Sequence, residues 1–442
     1  MRPRQGRIGL RLIGKAFYRT ALAAPAVLAP SLAFAQAPAA GLNPGDTAWI
    51  LTSTALVLFM TLPGLALFYG GLVRSKNVLS VMAQCVAIAC LASVLWLVVG
   101  YSLAFEGGNA LVGGLSKAFF TVPRGALHGT IPESAFFMFQ GAFAVITPAL
   151  IVGAYVERVR FQAVLLFSAL WLLVVYAPVT HWVWGGGWLQ QRHVMDFAGG
   201  LVVHATAGIS ALLAAMVIGK RDGFPKDLHP PHNPGLTMMG AGMLWVGWYG
   251  FNGGSALAAG ADAAMALTVT HLSASAAGLT WAIIEWKTFG RPSMVGLVTG
   301  VVVGLATVTP ASGYVGPIGG LVLGVLASLV CFTAVEIVKH RWRVDDSLDV
   351  FAVHGVGGIL GSLLVAVLAH PALGGVGYGA AGSLAGQALV QVEGVVSVLA
   401  WSAAATVVLL FVTRKLTGLR ARDEEIEDGL DLSTHGERSF SM

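Results

Sequence analysis

The feature that most constrains this chain is a series of long apolar segments. Each stretch holds about 20 residues, which is enough to cross a bilayer as a helix. They are found at about 47–73, 78–105, 134–156, 160–182, 197–218, 235–253, 261–286, 293–309, 315–338, 348–369 and 392–417. Of the 442 residues, 56% are hydrophobic and only 11% are charged. The pattern predicts an all-α polytopic membrane protein with eleven transmembrane helices.

The charges of the loops predict the orientation of these helices, because cytoplasmic loops carry an excess of Lys and Arg. The loops after segments one, three, five, seven and nine carry twelve basic residues: Arg74, Lys76, Arg158, Arg160, Lys220, Arg221, Lys226, Lys287, Arg291, Lys339, Arg341 and Arg343. The other loops carry only three: Lys117, Arg124 and Arg192. The bias predicts an amino end outside the cytoplasm and a carboxyl end inside it.

The amino terminus resembles a secretory signal peptide. Six of the 26 basic residues precede a short apolar run, 21–34, which ends in the small-residue pattern Ala33-Phe34-Ala35. We predict a signal peptide over residues 1–35, cleaved after Ala35. An uncleaved first helix is the alternative, but the run is short and contains prolines. The remaining chain divides into a transmembrane domain, 36–418, and a cytoplasmic tail, 419–442, whose charges alone predict a solvated segment. The net charge of +5 includes the leader and does not indicate nucleic-acid binding.

Two histidines lie inside apolar segments, where ionisable groups are costly and often functional. His204 follows Asp196 in segment five, and His354 follows Asp349 in segment ten, each among glycines. Either imidazole alone could be a core residue bonded to a backbone carbonyl. Their matching places in two five-segment halves favour a shared site and an inverted repeat of five plus five helices, with a final helix added.

Other roles for the two histidines are weaker alternatives. No carboxylate or cysteine lies at metal-ligand spacing from either residue, so we expect no metal site. Paired histidines on membrane helices can also ligate haem. We expect no cofactor.

Polar and aromatic residues near the outer ends of the helices could bind a cation. Asp196 opens segment five, where a helix cap is the simplest explanation. Phe139 and Phe143 share one helix face. Trp184 precedes a glycine turn, although tryptophans also form interfacial belts. Aromatic faces together with the Ser255 hydroxyl could hold a small cation.

Physical chemistry restricts what a pore between two imidazoles can pass. A bare monovalent cation in a dry apolar pore costs on the order of tens of kcal/mol. An amine that titrates like Lys needs only about 4 kcal/mol to lose its proton at neutral pH. Ammonium can shed a proton and potassium cannot. Two imidazoles could pass a small neutral base by hydrogen bonds and could relay the proton separately.

Several long motifs in a fixed order make the chain similar to bacterial ammonium transporters of the Amt/Mep/Rh family, close to the AmtB type. The similarity runs from about Leu51 to Ser441. It includes the motifs Phe68–Leu72, Phe139–Phe143, Val183–Gly187, Asp196–His204, Gly247–Ser255, Val308–Pro310 and Asp345–His354. The resemblance implies a transporter rather than an enzyme, located in the bacterial cytoplasmic membrane.

The resemblance implies an outer ammonium-binding site made by Phe143, Trp184 and Ser255, with Asp196 as its supporting acid. The family's fold is eleven helices, and its members assemble as a homotrimer with one pore in each subunit. Thr309 matches a threonine near the outer vestibule.

The resemblance also implies a gate and a pore below that site. Phe139, Phe143 and Phe251 match the stacked aromatic gate. His204 and His354 match the twin-histidine pore.

The tail segment 429–437 resembles the family's regulatory end, where a PII-type protein (GlnK) docks. The implied activity is electrogenic uptake of ammonium, which is deprotonated before ammonia crosses. Two alternatives stay open: an Rh-like channel that passes neutral gas without current, and a sensor that binds ammonium and signals through its tail.

Overall fold

A computed structural model gives the fold and describes residues 41–226 and 229–440. The predicted signal peptide lies outside the described residues. The structure is helical, with one short antiparallel hairpin, β1 (Leu127–His128) and β2 (Ile131–Pro132). The prediction of an all-α membrane fold is confirmed.

Eleven long helices follow one another along the part of the chain that the structure describes. They are α1 (Pro44–Leu72), α2 (Ser75–Phe105), α3 (Glu133–Tyr155), α4 (Phe161–Gln191), α5 (Gly200–Ile218), α6 (Pro234–Trp248), α7 (Ala261–Phe289), α8 (Met294–Ala311), α9 (Pro317–Arg341), α10 (Phe351–Leu368) and α11 (Leu384–Thr417).

Ten of these helices, within the part of the chain that the structure describes, are long and apolar enough to cross a membrane. The exception is α6, which continues as a wider π-helical turn over Tyr249–Gly253. Its many glycines, its aromatic residues and Asn252 make it less apolar than the others. The count of eleven spans therefore stays a prediction.

Several helices widen locally into π-helical turns, which often mark functional sites. One such turn, Gly200–Ala205, begins α5 and carries His204. Another, Phe351–Val356, begins α10 and carries His354. The two histidines thus occupy equivalent places in equivalent helices, as an inverted repeat requires.

Glycines allow α5 and α10 to cross at the level of the histidines. The backbones of Gly208 and Gly355 touch, and a Cβ atom on Gly208 would overlap Gly355. A Cβ atom on Gly358 would lie 2.7 Å from the Cβ of His204. Small residues bring helix backbones close together in membranes. At this crossing they bring the two imidazoles within reach of each other.

Buried ion pairs join the helix ends on the side that carries most of the basic residues. Arg158 is fully buried, donates to the carbonyl oxygen of Asp345 at 2.7 Å and lies 4.0 Å from its carboxylate. Arg221 pairs with the same carboxylate at 2.8 Å. Burial raises the pKa of Asp345, but the two guanidinium groups outweigh this and hold it below its usual value. Some basic residues of these loops therefore have a structural function in addition to their contribution to the predicted orientation.

The tail folds back onto the bundle, contrary to the solvated segment predicted from charge. It forms two short helices, α12 (Asp423–Asp428) and α13 (Leu430–His435). The backbone N–H of Leu430 donates to the Asn77 side chain at 2.9 Å, and the Asp431 carboxylate accepts from the backbone N–H of Ser80 at 2.7 Å. Asp431 therefore provides an acceptor for a backbone N–H group in the second turn of α2.

Candidate functional site

The two central histidines contact each other directly. Their Nδ1 atoms lie 3.2 Å apart, and the rings are inclined by 18° with centroids 5.2 Å apart. Both side chains are almost fully buried. This contact leaves no room for a haem between the rings. A neutral pair at this distance shares one N–H···N hydrogen bond, so one ring donates through Nδ1 and the other accepts.

Each histidine follows a capping aspartate by eight residues. Asp196 binds the first amides of α5, and Asp346 accepts from the N–H of Phe351 at the beginning of α10 with a distance of 2.7 Å. Our pairing of Asp349 with Asp196 as equivalent acids was wrong. Asp349 instead forms an ion pair with Lys339 at 2.7 Å.

Backbone N–H groups donate hydrogen bonds to both oxygens of the Asp196 carboxylate. Its two oxygens accept from the N–H groups of residues 199–202 at 2.6–3.2 Å. Gly199 makes this turn with φ +115°, a conformation that favours glycine. Burial raises the pKa of Asp196, and the four N–H donors oppose that shift. Asp346, buried and next to the Asp349 carboxylate, has a pKa raised to about 7.

The Asp196 turn also fixes the ring of Trp184. The indole N–H donates to the backbone carbonyl of Asp196 at 2.8 Å. Just after Trp184 a glycine turn interrupts α4, and Gly186 in this turn has φ +91°. Asp196 therefore orients the aromatic wall through its backbone and does not present a free carboxylate.

The aromatic residues form a stack that leads to the histidines. Phe143 lies 6.0 Å from Trp184, 5.1 Å from Phe139 and 4.3 Å from Phe251, measured between ring centroids. The ring of Phe251 lies 6.0 Å from that of His204. Sequence reasoning grouped these residues, and the structure brings them together.

Three cavities lie in succession through the bundle. We call the end that carries the hairpin the outer end, following the prediction from the loop charges. The outer cavity, of about 210 Å³, is lined by residues that include Phe143, Trp184 and Ser255. A middle cavity of only about 10 Å³ touches Phe251 and both histidines. An inner cavity of about 200 Å³ reaches His354 from the opposite end.

Two rings separate the outer cavity from the middle one. Phe143 lines the outer cavity and Phe251 lines the middle one, and each is 1% exposed. The rings are inclined by 33° and in contact. The passage is closed at this point.

The Ser255 hydroxyl lines the outer cavity, and no side chain or backbone N–H of the described residues donates to its oxygen. Its proton is donated to the carbonyl oxygen of Phe251 at 2.8 Å. The hydroxyl oxygen can therefore accept a hydrogen bond from a bound donor.

Thr309 lies away from the outer cavity and is fully buried. Its hydroxyl accepts from the indole N–H of Trp248 at 2.9 Å. The Trp248 ring stacks on His204 with centroids 5.6 Å apart and an angle of 20°.

Sequence reasoning missed two residues near the histidines. Trp248 packs against the His204 ring, and Asp346 caps the helix that carries His354. Trp248 belongs to the motif Gly247–Ser255, but Thr309, which accepts its indole N–H, is 61 residues away in the sequence. The equal spacing of eight residues from Asp196 to His204 and from Asp346 to His354 could have identified Asp346.

Comparisons with known proteins identify the family of the chain. Residues 48–440 match the model of the Ammonium Transporter Family. An ammonium transporter of Aquifex aeolicus is 44% identical to the chain, over 92% of this chain and 96% of the relative. An ammonium transporter of Bacillus subtilis is 41% identical, over 90% of this chain and 98% of the relative.

Solved structures are similar as well. The crystal structure of Candida albicans Mep2 is 35% identical, with a TM-score of 0.81, over 87% of this chain and 88% of that one. A structure described as a sensor Amt protein is 28% identical, with a TM-score of 0.82, over 88% of this chain and 98% of that one. The family match covers nearly all of the described transmembrane helices, and this chain belongs to the Ammonium Transporter Family.

Proposed function

We propose that the protein takes up ammonium electrogenically across the bacterial cytoplasmic membrane. Ammonium binds in the outer cavity, loses a proton near the aromatic gate, and crosses as ammonia between His204 and His354. The proton crosses by a separate route. The observation that carries this proposal is the contact between the two imidazoles, located between an outer and an inner cavity.

The size of the middle cavity supports passage of a neutral molecule. A volume of about 10 Å³ accommodates no more than about one water-sized molecule. A hydrated cation is larger, and a cation without its water would meet mainly apolar and aromatic side chains there. Ammonia has one lone pair and three N–H groups, so it can accept from one imidazole and donate to another.

The edges of the two imidazole rings can provide the hydrogen-bond donor and the acceptor that ammonia needs. Because the shared hydrogen bond occupies both Nδ1 atoms, the Nε2 atoms remain for a passing molecule. His204 Nε2 is buried and has no hydrogen-bond partner among the residues that the structure describes. An unpaired buried polar atom costs about 1–3 kcal/mol, and a transient ligand would offset that cost.

Trp248 and Thr309 hold His204 in this orientation. The Thr309 hydroxyl fixes the indole, and the indole supports the imidazole from one face. We therefore assign Thr309 a positioning role and no longer a place in the outer vestibule.

Recruitment at the outer cavity needs cation-binding groups that are already ordered. Trp184 is fixed by its hydrogen bond to Asp196, and Phe143 lies edge to face with it at 89°. The aromatic faces attract a cation, and Ser255 supplies an acceptor oxygen. A site of this kind favours a charged substrate over a neutral gas, which argues against an Rh-like gas channel.

A sensor role is a second candidate function, because the tail docks onto the helix bundle. The docked tail also offers a surface on which a PII-type regulator could bind at the cytoplasmic face.

Ammonium uptake in a bacterial strain without its own ammonium transporters tests transport itself. We expect growth at low ammonium with the full chain and with a chain that ends at Thr417. No uptake by either chain would contradict transport. A PII-type protein should co-purify with the full chain only.

Replacement of Ser255 tests the recruitment site. Ser255→Ala removes one hydrogen bond to a cation, worth about 1.5–3 kcal/mol. We expect a higher half-saturation concentration for ammonium currents in proteoliposomes and a preserved maximal current. Ser275→Ala is the control, since that half-buried serine lies outside the outer cavity and donates within its own helix, to the carbonyl oxygen of His271. An unchanged half-saturation concentration in Ser255→Ala would count against the assigned role.

Replacement of His204 tests the pore. His204→Ala removes one imidazole and leaves a larger space between the cavities. We expect the variant to lose ammonium transport or to admit other cations, measured as currents with ammonium and with potassium. Normal and selective ammonium flux in this variant would contradict the assignment of His204 to the pore.

We also propose that the chain assembles as a homotrimer, as the family resemblance implies. His271 is exposed on α7, ten residues from the helix start, or about 15 Å along its axis. It accepts from or donates to the Tyr249 hydroxyl at 2.7 Å. Ionisable groups at such depth face protein rather than lipid, so a second subunit is expected to cover this face. Light scattering of detergent-extracted protein should give three chains per particle, and a single chain would contradict the proposal.

A further inference from the structure

The outer cavity contains a polar side chain that the proposed site does not use. Gln140 lines this cavity together with Phe143 and Ser255. The side chain is only 7% exposed, and its amide oxygen has no hydrogen-bond partner. Among the described residues, it is the one wall residue of the outer cavity with a buried polar side-chain atom left without a partner.

The helix geometry directs Gln140 to the same place as the aromatic wall. Phe136, Gln140 and Phe143 lie on α3 at positions i, i+4 and i+7, so they share one face of the helix. All three line the outer cavity. The carboxamide therefore lies on the face of α3 from which Phe143 contributes its ring.

A bound ammonium ion needs more acceptors than the proposed site provides. The ion has four N–H groups and loses hydrogen bonds to water when it enters a confined cavity. Ser255 offers one acceptor oxygen, and the aromatic rings offer π faces. The carboxylate of Asp196 is not available, because four backbone N–H groups already occupy it. The indole of Trp184 is a donor only, and Asp196 uses it.

We propose that Gln140 is a further ammonium-binding residue, which accepts one N–H group of the ion through its amide oxygen. This inference rests on the proposed function and deepens it. A half-turn of a carboxamide exchanges its oxygen and nitrogen, and the hydrogen-bond partners decide which atom faces the ligand. A cation in the cavity selects the oxygen. The ion thereby gains a second neutral acceptor besides Ser255.

A neutral amide suits this position better than a carboxylate. An acceptor without charge stabilises the ion by one hydrogen bond and leaves it free to dissociate or to lose its proton. A charged oxygen binds a cation more strongly and would retain it. Gln140 therefore contributes to affinity without trapping the substrate.

The test compares ammonium-evoked currents of variants in proteoliposomes. Gln140→Met keeps the length of the side chain and removes the acceptor, so we expect the half-saturation concentration for ammonium to rise about tenfold, the effect of one hydrogen bond to a charged group. The maximal current should stay near that of the unmodified protein. Gln140→Glu keeps acceptor oxygens and adds charge, so it should lower both the half-saturation concentration and the maximal current.

Gln84→Met is the matched control. Gln84 is also a buried glutamine whose amide oxygen has no partner among the described residues, but it lies on α2 and does not line the outer cavity. We expect less than a twofold change in this variant. Equal effects at positions 140 and 84, or an unchanged half-saturation concentration in Gln140→Met, would overturn the inference. An increase in the half-saturation concentration with Gln140→Glu would overturn it too. If the unmodified protein gave no current, the proposed function would fail instead.

Discussion

The proposed transport path depends on the contact between two imidazoles at the crossing of α5 and α10. The two Nδ1 atoms lie 3.2 Å apart because glycines let the helix backbones touch immediately beside them. A larger residue at Gly208 or Gly358 would push the helices apart and separate the rings. The glycines that flank both histidines in the sequence are therefore part of the site, although they carry no functional group.

Residues on neighbouring elements hold His204 and His354 in contact. Asp196 and Asp346 bind the first amides of the two helices, so that the wide turns carrying His204 and His354 begin at defined points. Trp248 supports the His204 ring from one face. Toward the outer end, the same Asp196 turn holds Trp184 in place. One capping residue thus connects the proposed recruitment site to the pore, and the contribution of Asp196 that the hydrogen bonds show is structural.

Much of this arrangement could be predicted from the sequence. The apolar segments predicted an all-α membrane protein, and the matching histidines predicted an inverted repeat with a shared site. The helix-face rule grouped Phe139 with Phe143. The equivalence of Asp346 to Asp196 was missed, because the sequence also offers Asp349 and only the hydrogen bonds distinguish the two.

Contacts between residues distant in the sequence could not be predicted in the same way. Two examples are the hydrogen bond from Trp248 to Thr309 and the docking of Leu430 against Asn77. Each joins segments far apart in the sequence, and no spacing pattern in the sequence relates them. The unpaired oxygen of Gln140 is likewise visible only when the whole cavity is assembled. The tail was misjudged because its charge run suggested solvation, whereas Ile426 and Leu430 are buried.

The central claim is that the passage admits a molecule able to give up a proton and excludes a cation that cannot. The most direct measurement compares currents in proteoliposomes under equal gradients of ammonium and of potassium, two monovalent cations of similar size. The account predicts current with ammonium and none with potassium. Currents of similar size with both ions would contradict it.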